Sequence, residues 1–167
     1  FEANNLLLAY AKNQVQATGN AQNLRLNINA PALYEIYAGL RGRAYGYLNI
    51  QSQPRLRATT NLAVDNFGFK DLIDMRKLRI VGQLPTSETT PSLLTAKMES
   101  LRSGNREIQQ GEISLAGIRK AHLLKVSAQN EKSKFYVQLA GGFNAQNDWL
   151  GQIQKGDFDS LRARLVQ

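Results

Sequence analysis

Few side chains of this 167-residue sequence are of the types and spacing that catalysis requires. The single histidine, His122, lies in an alternating apolar pattern with no carboxylate cluster beside it and no cysteine in the chain, so we interpret it as structural. Asp71 and Asp74 flank a hydrophobic cluster without a candidate base or nucleophile, and Asp157 and Asp159 are predicted in a glycine-containing turn. Phosphate-loop and nucleophile-elbow motifs are absent. The sequence therefore predicts no enzyme, no metal site and no cofactor.

Trp149 is the other side chain whose chemistry could serve a ligand. Its ring could stack on a bound molecule. The commoner role is a tryptophan packed on a sheet, with its indole N–H donating to a backbone acceptor. The sequence leaves both interpretations open.

The charge balance limits the classes of partner. The chain carries 21 Lys and Arg against 13 Asp and Glu, a net charge of +8, and it has no Cys for disulfide or thiol chemistry. The basic residues are spread along the chain without a long run or an aromatic RNA-binding signature, so nucleic acid is not an expected partner. A solvated basic face, an acidic partner and a membrane surface all remain open.

Alternation of apolar and polar residues with a period of two runs through most of the chain. It is cleanest at Leu24–Ile28 and recurs at His122–Val126, Phe135–Leu139 and Trp149–Ile153, between polar or glycine-containing turns. We count about eleven such strands, and their short connections predict antiparallel pairing between sequence neighbours. The chain is therefore predicted to be all-β, a long antiparallel meandering sheet with one apolar and one polar face.

A few segments are predicted to depart from this alternation. Helical spacing of apolar residues predicts a short amphipathic helix over Ala32–Ala38, packed on the sheet, so the fold includes one or two short helices. Asp65 and Asn66 are predicted to end a strand. A last alternating strand is predicted over Leu161–Leu165.

An apolar face of this extent must be covered. A sandwich would fold the sheet onto itself, a barrel would close it, and a sheet curled into an open trough would leave its apolar interior to a ligand. The patterning alone excludes none of these. The side chains predicted to line the hydrophobic groove are Leu24, Leu26, Ile28, Leu48, Ile50, Leu78, Ile80, Leu94, Met98, Ile113, Leu115, Leu124, Val126, Phe135, Val137, Leu139 and Ile153.

Three parts of the sequence are similar, in the same order, to motifs of a known family. Gly117–Leu124 is similar to Gly-Thr-x-x-x-His-x-Leu, with Ile118 at the threonine position. Leu139–Phe143 with Trp149–Ile153 is similar to Leu-x-Gly followed by Trp-x-Gly-x-Leu, and Leu26–Leu33 is close to Leu-x-Ala-Pro-x-Leu. With these motifs the chain resembles the TamB family, the translocation and assembly module inner-membrane subunit that carries the DUF490 region.

This resemblance implies a fold, a location and a role. The fold is an open hydrophobic trough called a β-taco, with residues 1–167 as a single segment of the DUF490-like region, excised from a longer protein. The location is the periplasm of a Gram-negative cell, within an inner-membrane-anchored protein whose partner is an Omp85-type outer-membrane barrel such as TamA. The cargo is either phospholipid carried between the two membranes or unfolded outer-membrane protein such as an autotransporter. A passive β-sandwich or solenoid spacer remains the alternative, and a piece of an outer-membrane barrel would need aromatic girdles that the sequence lacks.

Overall fold

The computed structural model describes residues 2–53, 55–85, 89–146 and 148–160. In these ranges the chain forms one antiparallel sheet of fourteen strands, which confirms the predicted all-β fold. The strands are β1 Glu2–Tyr10, β2 Asn13–Asn20, β3 Asn23–Ala30, β4 Leu40–Gln51, β5 Arg57–Phe69, β6 Ile73–Arg76, β7 Leu78–Pro85, β8 Ser92–Met98, β9 Ser100–Ser103, β10 Arg106–Ile108, β11 Gln110–Ile118, β12 Ala121–Gln129, β13 Ser133–Phe143 and β14 Trp149–Ser160. The strand predicted over Leu161–Leu165 lies outside the described residues.

Within the described residues the sheet is a meander with one strand at each of its two edges. Eleven strands lie in the order β1-β2-β3-β4-β5-β7-β8-β11-β12-β13-β14, and each pairs with its neighbours in antiparallel fashion, as predicted. β1 and β14 are the edges, so the sheet is open and does not close on itself. Within the described ranges the extensive contacts of each strand are with its hydrogen-bonded neighbours. The architecture is a long, curled single layer.

The short strands β6, β9 and β10 lie off this path because kinks separate them from longer strands. Met75 of β6 faces Phe67 of β5, and Arg79 of β7 faces Ala63 of the same strand, so the register against β5 is unchanged across Lys77. Lys77 has a φ of 45°, in the left-handed region, which interrupts the extended backbone at this point. The sequence does not predict these short strands, because the kinks carry no alternation signal.

Two predicted strand breaks are wrong. β5 continues through Asp65 and Asn66, because Asn66 adopts a φ of 51° and forms a β-bulge where the register against β4 shifts. Asp157 and Asp159 lie within β14 and not in a turn, and Asp157 faces Tyr136 across the β13–β14 pair. Both strands are therefore longer than the sequence predicts.

The helix predicted over Ala32–Ala38 is wrong beyond a single turn. A 3-10 helix covers Leu33–Glu35 without a side-chain N-cap, and Ile36 remains 49% exposed. So short a segment cannot offset the cost of helix nucleation. Asn13 holds the backbone instead, since its Oδ1 accepts from the Ala32 N–H at 3.1 Å and its Nδ2 donates to the Ala32 carbonyl at 2.9 Å. Across the described part of the chain, no helix has the length and apolar character that a membrane span needs.

In the part of the chain that the structure describes, no second layer covers the apolar side of the sheet. The chain exposes 11593 Å² of surface, whereas a compact monomer of 18.6 kDa exposes about 8,200 Å². Among the described residues, Ala30 and Ala32 are the only buried apolar side chains, and no large side chain is fully buried. The sheet therefore lacks the packed interior of a sandwich.

Candidate functional site

The strand register aligns apolar side chains in rows that cross the sheet. Directly opposed residues of antiparallel strands point to the same face. One row contains Leu26, Leu48, Thr60, Gly82, Leu94, Leu115, Leu124, Leu139 and Ile153. A second row contains Ile28, Gly46, Leu62, Ile80, Ala96, Ile113, Val126 and Val137. Together these rows form a continuous surface from β3 to β14, called here the apolar face.

The register brings every predicted groove-lining side chain to this apolar face. Those outside the two rows lie nearer the strand ends, and they are Leu24, Ile50, Leu78, Met98 and Phe135. Further residues that the sequence reasoning missed share the face: Leu6, Leu8, Val15, Leu84 and Phe158. Leu84 alternates in phase with Ile80 along β7, so the period-two pattern alone could have identified it.

The apolar face is partly exposed to solvent, and none of the described residues in its two rows is buried. Ile113, in the central strand β11, is 49% exposed, and Ile153 and Phe158 on the β14 edge are 67% and 70% exposed. Since burial of apolar surface is favourable by about 25 cal/mol per Å², this face stabilises any apolar molecule that covers it. The arrangement can bind an apolar molecule over a large area.

The opposite face, called here the polar face, carries the charge. Its cations are Arg25, Arg43, Arg57, Arg79, Lys97, Lys125, Lys134 and Lys155, and its anions are Asp65, Glu112, Asp157 and Asp159. Ion pairs join Arg43 to Asp65 at 3.6 Å and Lys97 to Glu112 at 3.3 Å, both at exposed positions where each contributes at most about 1 kcal/mol. The polar face therefore keeps an excess of positive charge.

His122 and Trp149 meet on the apolar face. The Trp149 indole N–H donates to His122 Nε2 at 2.8 Å, so the backbone acceptor expected for the indole is wrong. The ring lies over Gly141 and Gly151, where a Cβ on Gly151 would come within 2.2 Å of it. The Phe143 ring also packs against His122, with the two ring centroids 5.8 Å apart. Within the described ranges, no group of three or more His, Asp or Glu side chains gathers around a possible metal position.

Both sheet edges expose apolar side chains as well. On β1 these are Leu6, Leu7, Leu8 and Tyr10, and on β14 they are Trp149, Leu150, Ile153 and Phe158. An edge strand also presents a row of backbone N–H and C=O groups without ladder partners, which can pair with an added strand.

Comparison with known proteins finds a family match over nearly the whole chain. A family model for the TamB N-terminal domain matches residues 1–166. The translocation and assembly module subunit TamB of Haemophilus influenzae is 26% identical over 166 aligned residues, which cover 93% of this chain. The chain spans about 12% of the length of that relative. No solved structure matches the chain.

Proposed function

The chain belongs to the TamB family, and from this premise we propose that it is one segment of an envelope-spanning translocation and assembly protein. The proposal puts this segment in the periplasm, within a longer protein anchored in the inner membrane. There it shields hydrophobic cargo that passes between the inner and outer membranes. The observation that supports this proposal is the apolar face, which crosses the sheet from β3 to β14 without being buried.

Shielding of this kind needs apolar area and no catalytic group. An acyl chain of about sixteen carbons in water costs on the order of 10 kcal/mol, at about 0.8 kcal/mol per CH₂. The row from Leu26 to Ile153 crosses β3 to β14, a width of about 38 Å at about 4.8 Å per strand spacing. A lipid leaflet is about 15 Å thick in its hydrocarbon part, so the row is long enough to cover a whole acyl chain.

Phospholipid is the cargo that we propose for the apolar face. Unfolded outer-membrane protein is a second candidate, and a different observation favours it. Among the described residues β1 and β14 are the edge strands of the sheet, and they expose apolar side chains such as Leu8 and Leu150, which suits strand addition.

The partner that we propose is an Omp85-type outer-membrane barrel resembling TamA. The relative from Haemophilus influenzae is named as a subunit of a translocation and assembly module, which supports a partner within such a module. A segment with one apolar and one basic face suits the interval between two membranes, because it offers cargo a path while its other face stays hydrated.

A passive spacer is the competing function. A β-sandwich spacer would pack one part of the sheet against another and would bury residues such as Ile113, which is 49% exposed here. A spacer of any shape would also have no reason to retain lipid.

Mass spectrometry of the material that co-purifies with the 167-residue chain tests the proposal. Phospholipid recovered in a fixed ratio to the chain is the expected result. Recovered polypeptide without lipid would favour the second cargo. A chain free of both, after purification without detergent, would favour the spacer.

A further inference from the structure

A cavity of about 450 Å³ lies on the polar face, away from the apolar rows. The residues that line it are Thr18, Gly19, Asn23, Arg25, Asn49, Gln51, Arg57 and Thr59. The register explains why they meet, because Thr18, Arg25, Asn49 and Thr59 are opposed in turn on β2, β3, β4 and β5. Its volume lies in the range of about 300–1,000 Å³ that is typical of small-molecule sites.

The lining of this cavity has one chemical character. Arg25 and Arg57 supply two guanidinium groups, Thr18 and Thr59 supply hydroxyls, and the remaining side chains are amides apart from Gly19. No carboxylate stands among these lining residues, although acidic side chains occur elsewhere on the polar face. Guanidinium groups without a carboxylate partner favour an anion, and amides and hydroxyls favour a ligand with several hydroxyl groups.

The two arginines are held in place by their neighbours. Arg25 Nε donates to Asn27 Oδ1 at 2.9 Å, and its Cζ lies 5.2 Å from the centroid of the Tyr47 ring. These contacts use one of its donors and leave both Nη groups without a partner among the described residues. Arg57 Nη2 donates to Gln83 Oε1. Pre-positioned donors of this kind lose little conformational entropy when an anion binds.

The rim of the cavity is also ordered. Asn20 Oδ1 accepts from the N–H groups of Gln22 and Asn23 at 2.9 and 3.0 Å, which closes the β2–β3 turn. Ser52 then joins that turn to the end of β4, because its N–H donates to the Gln22 carbonyl at 2.7 Å and its Oγ to the Ala21 carbonyl at 3.0 Å. The β2–β3 turn and the end of β4 therefore give the cavity a defined rim.

We propose that this cavity binds an anionic polyol, a molecule in which a phosphate group is attached to a sugar or glycerol. Arg25 binds the phosphate through its Nη groups, and Arg57, the threonine hydroxyls and the amides bind the hydroxyl groups. The two arginines lie two strands and two residues apart, about 12 Å between Cα atoms, which suits a ligand larger than free phosphate. This site is on the face opposite the proposed cargo surface and stands independently of that function.

The test distinguishes two sources of such a ligand, a soluble phosphorylated polyol and a phospholipid headgroup. Glycerol 3-phosphate is titrated into isotopically labelled chain and followed by NMR, and vesicles of phosphatidylglycerol or phosphatidylcholine are tested by co-sedimentation. Binding of free glycerol 3-phosphate, with shifted amide signals around Arg25 and Arg57, is expected if the ligand is soluble. Binding only to phosphatidylglycerol vesicles is expected if the ligand is a lipid headgroup, and either result supports the site when it depends on these arginines.

Charge-matched variants make the test specific. Arg25→Gln and Arg57→Gln should each weaken binding about tenfold or more, since a hydrogen bond to a charged group is lost. Arg79→Gln removes the same charge from the same face outside this cavity and should change affinity by less than about twofold. Circular dichroism checks that all three variants fold. No binding of either probe, or an equal loss in the Arg79 variant, would overturn the proposal.

Discussion

Replacement of Leu115 by aspartate distinguishes an open ligand-bearing face from a sealed core. Leu115 lies between Leu94 and Leu124 in the first apolar row. An acyl chain that covers this position would force the new carboxylate to become neutral. For a carboxyl with an ordinary pKa of about 3.9, neutralisation at pH 7 costs about 4 kcal/mol at 1.36 kcal/mol per pH unit. If the acyl chain covers the new carboxyl group only partly, we expect the binding free energy to weaken by about 2–4 kcal/mol, which is roughly 30- to 1,000-fold in affinity.

Titration with a fluorescent lysophosphatidylcholine measures this loss directly. Ser114→Asp is the matched control, because Ser114 is the adjacent residue on the polar face, opposite Thr95 and Lys125. It adds the same charge and should leave binding unchanged. Leu115→Asn removes the apolar side chain without a charge and should lose less affinity than Leu115→Asp.

The pH dependence follows from the same reasoning. Cover by the acyl chain raises the pKa of the introduced carboxyl, so the penalty is present at neutral pH and disappears as the pH falls toward 4. Leu115→Asp should therefore regain affinity on acidification, while wild type and Ser114→Asp should not. Urea unfolding should show a loss of stability of about 1–3 kcal/mol, because Leu115 is only partly buried. An unfolded Leu115→Asp chain, or one with wild-type affinity, would refute the open-face account.

Three further substitutions and one matched control test the fold that positions this face, each by urea denaturation. Gly46→Ala should lower the free energy of unfolding by at least about 2 kcal/mol, because Gly46 has a φ of 140° and a Cβ would lie 2.0 Å from the Asn61 carbonyl oxygen. Gly156→Ala is its control and should be tolerated, because the nearest atom to a Cβ there is 3.8 Å away. Asn13→Ala should cost about 1–3 kcal/mol, because it leaves the buried Ala32 N–H unpaired, whereas the Ala32 carbonyl still accepts from the Glu35 N–H at 3.0 Å. Trp149→Phe should cost about 0.5–1.5 kcal/mol through the lost indole donor, and a larger loss would mean that Trp149 supports more of the sheet than this hydrogen bond explains.

The sequence predicts the strands and their apolar face well, because period-two alternation depends only on the pleat. Leu24, Leu26 and Ile28 point to one face wherever β3 lies in the sheet. The short connections then predict a meander, and a meander in register aligns the apolar faces of successive strands. The apolar face is therefore accessible to prediction from sequence, residue by residue.

Features that depend on non-glycine residues with positive φ cannot be predicted from the alternation of apolar and polar residues. Asn66 and Lys77 adopt positive φ values without being glycine, so neither the bulge in β5 nor the kink before β7 has a clear signal. The helix is predicted from Leu33, Ile36, Tyr37 and Leu40 at i, i+3, i+4 and i+7, but Leu40 already belongs to β4. The polar cavity is also missed, because Arg25 and Arg57 are brought together only by the register of intervening strands.

Cross-linking with a phospholipid that carries a photoreactive group in its acyl chain tests the central claim most directly. Adjacent residues on β8, β11 and β12 point to opposite faces, so each cross-link identifies the face that the lipid occupies. The account expects cross-links at Leu94, Leu115 and Leu124, on the apolar face. Cross-links at their polar-face neighbours Thr95, Ser114 and Lys125, or an even distribution over both faces, would contradict it.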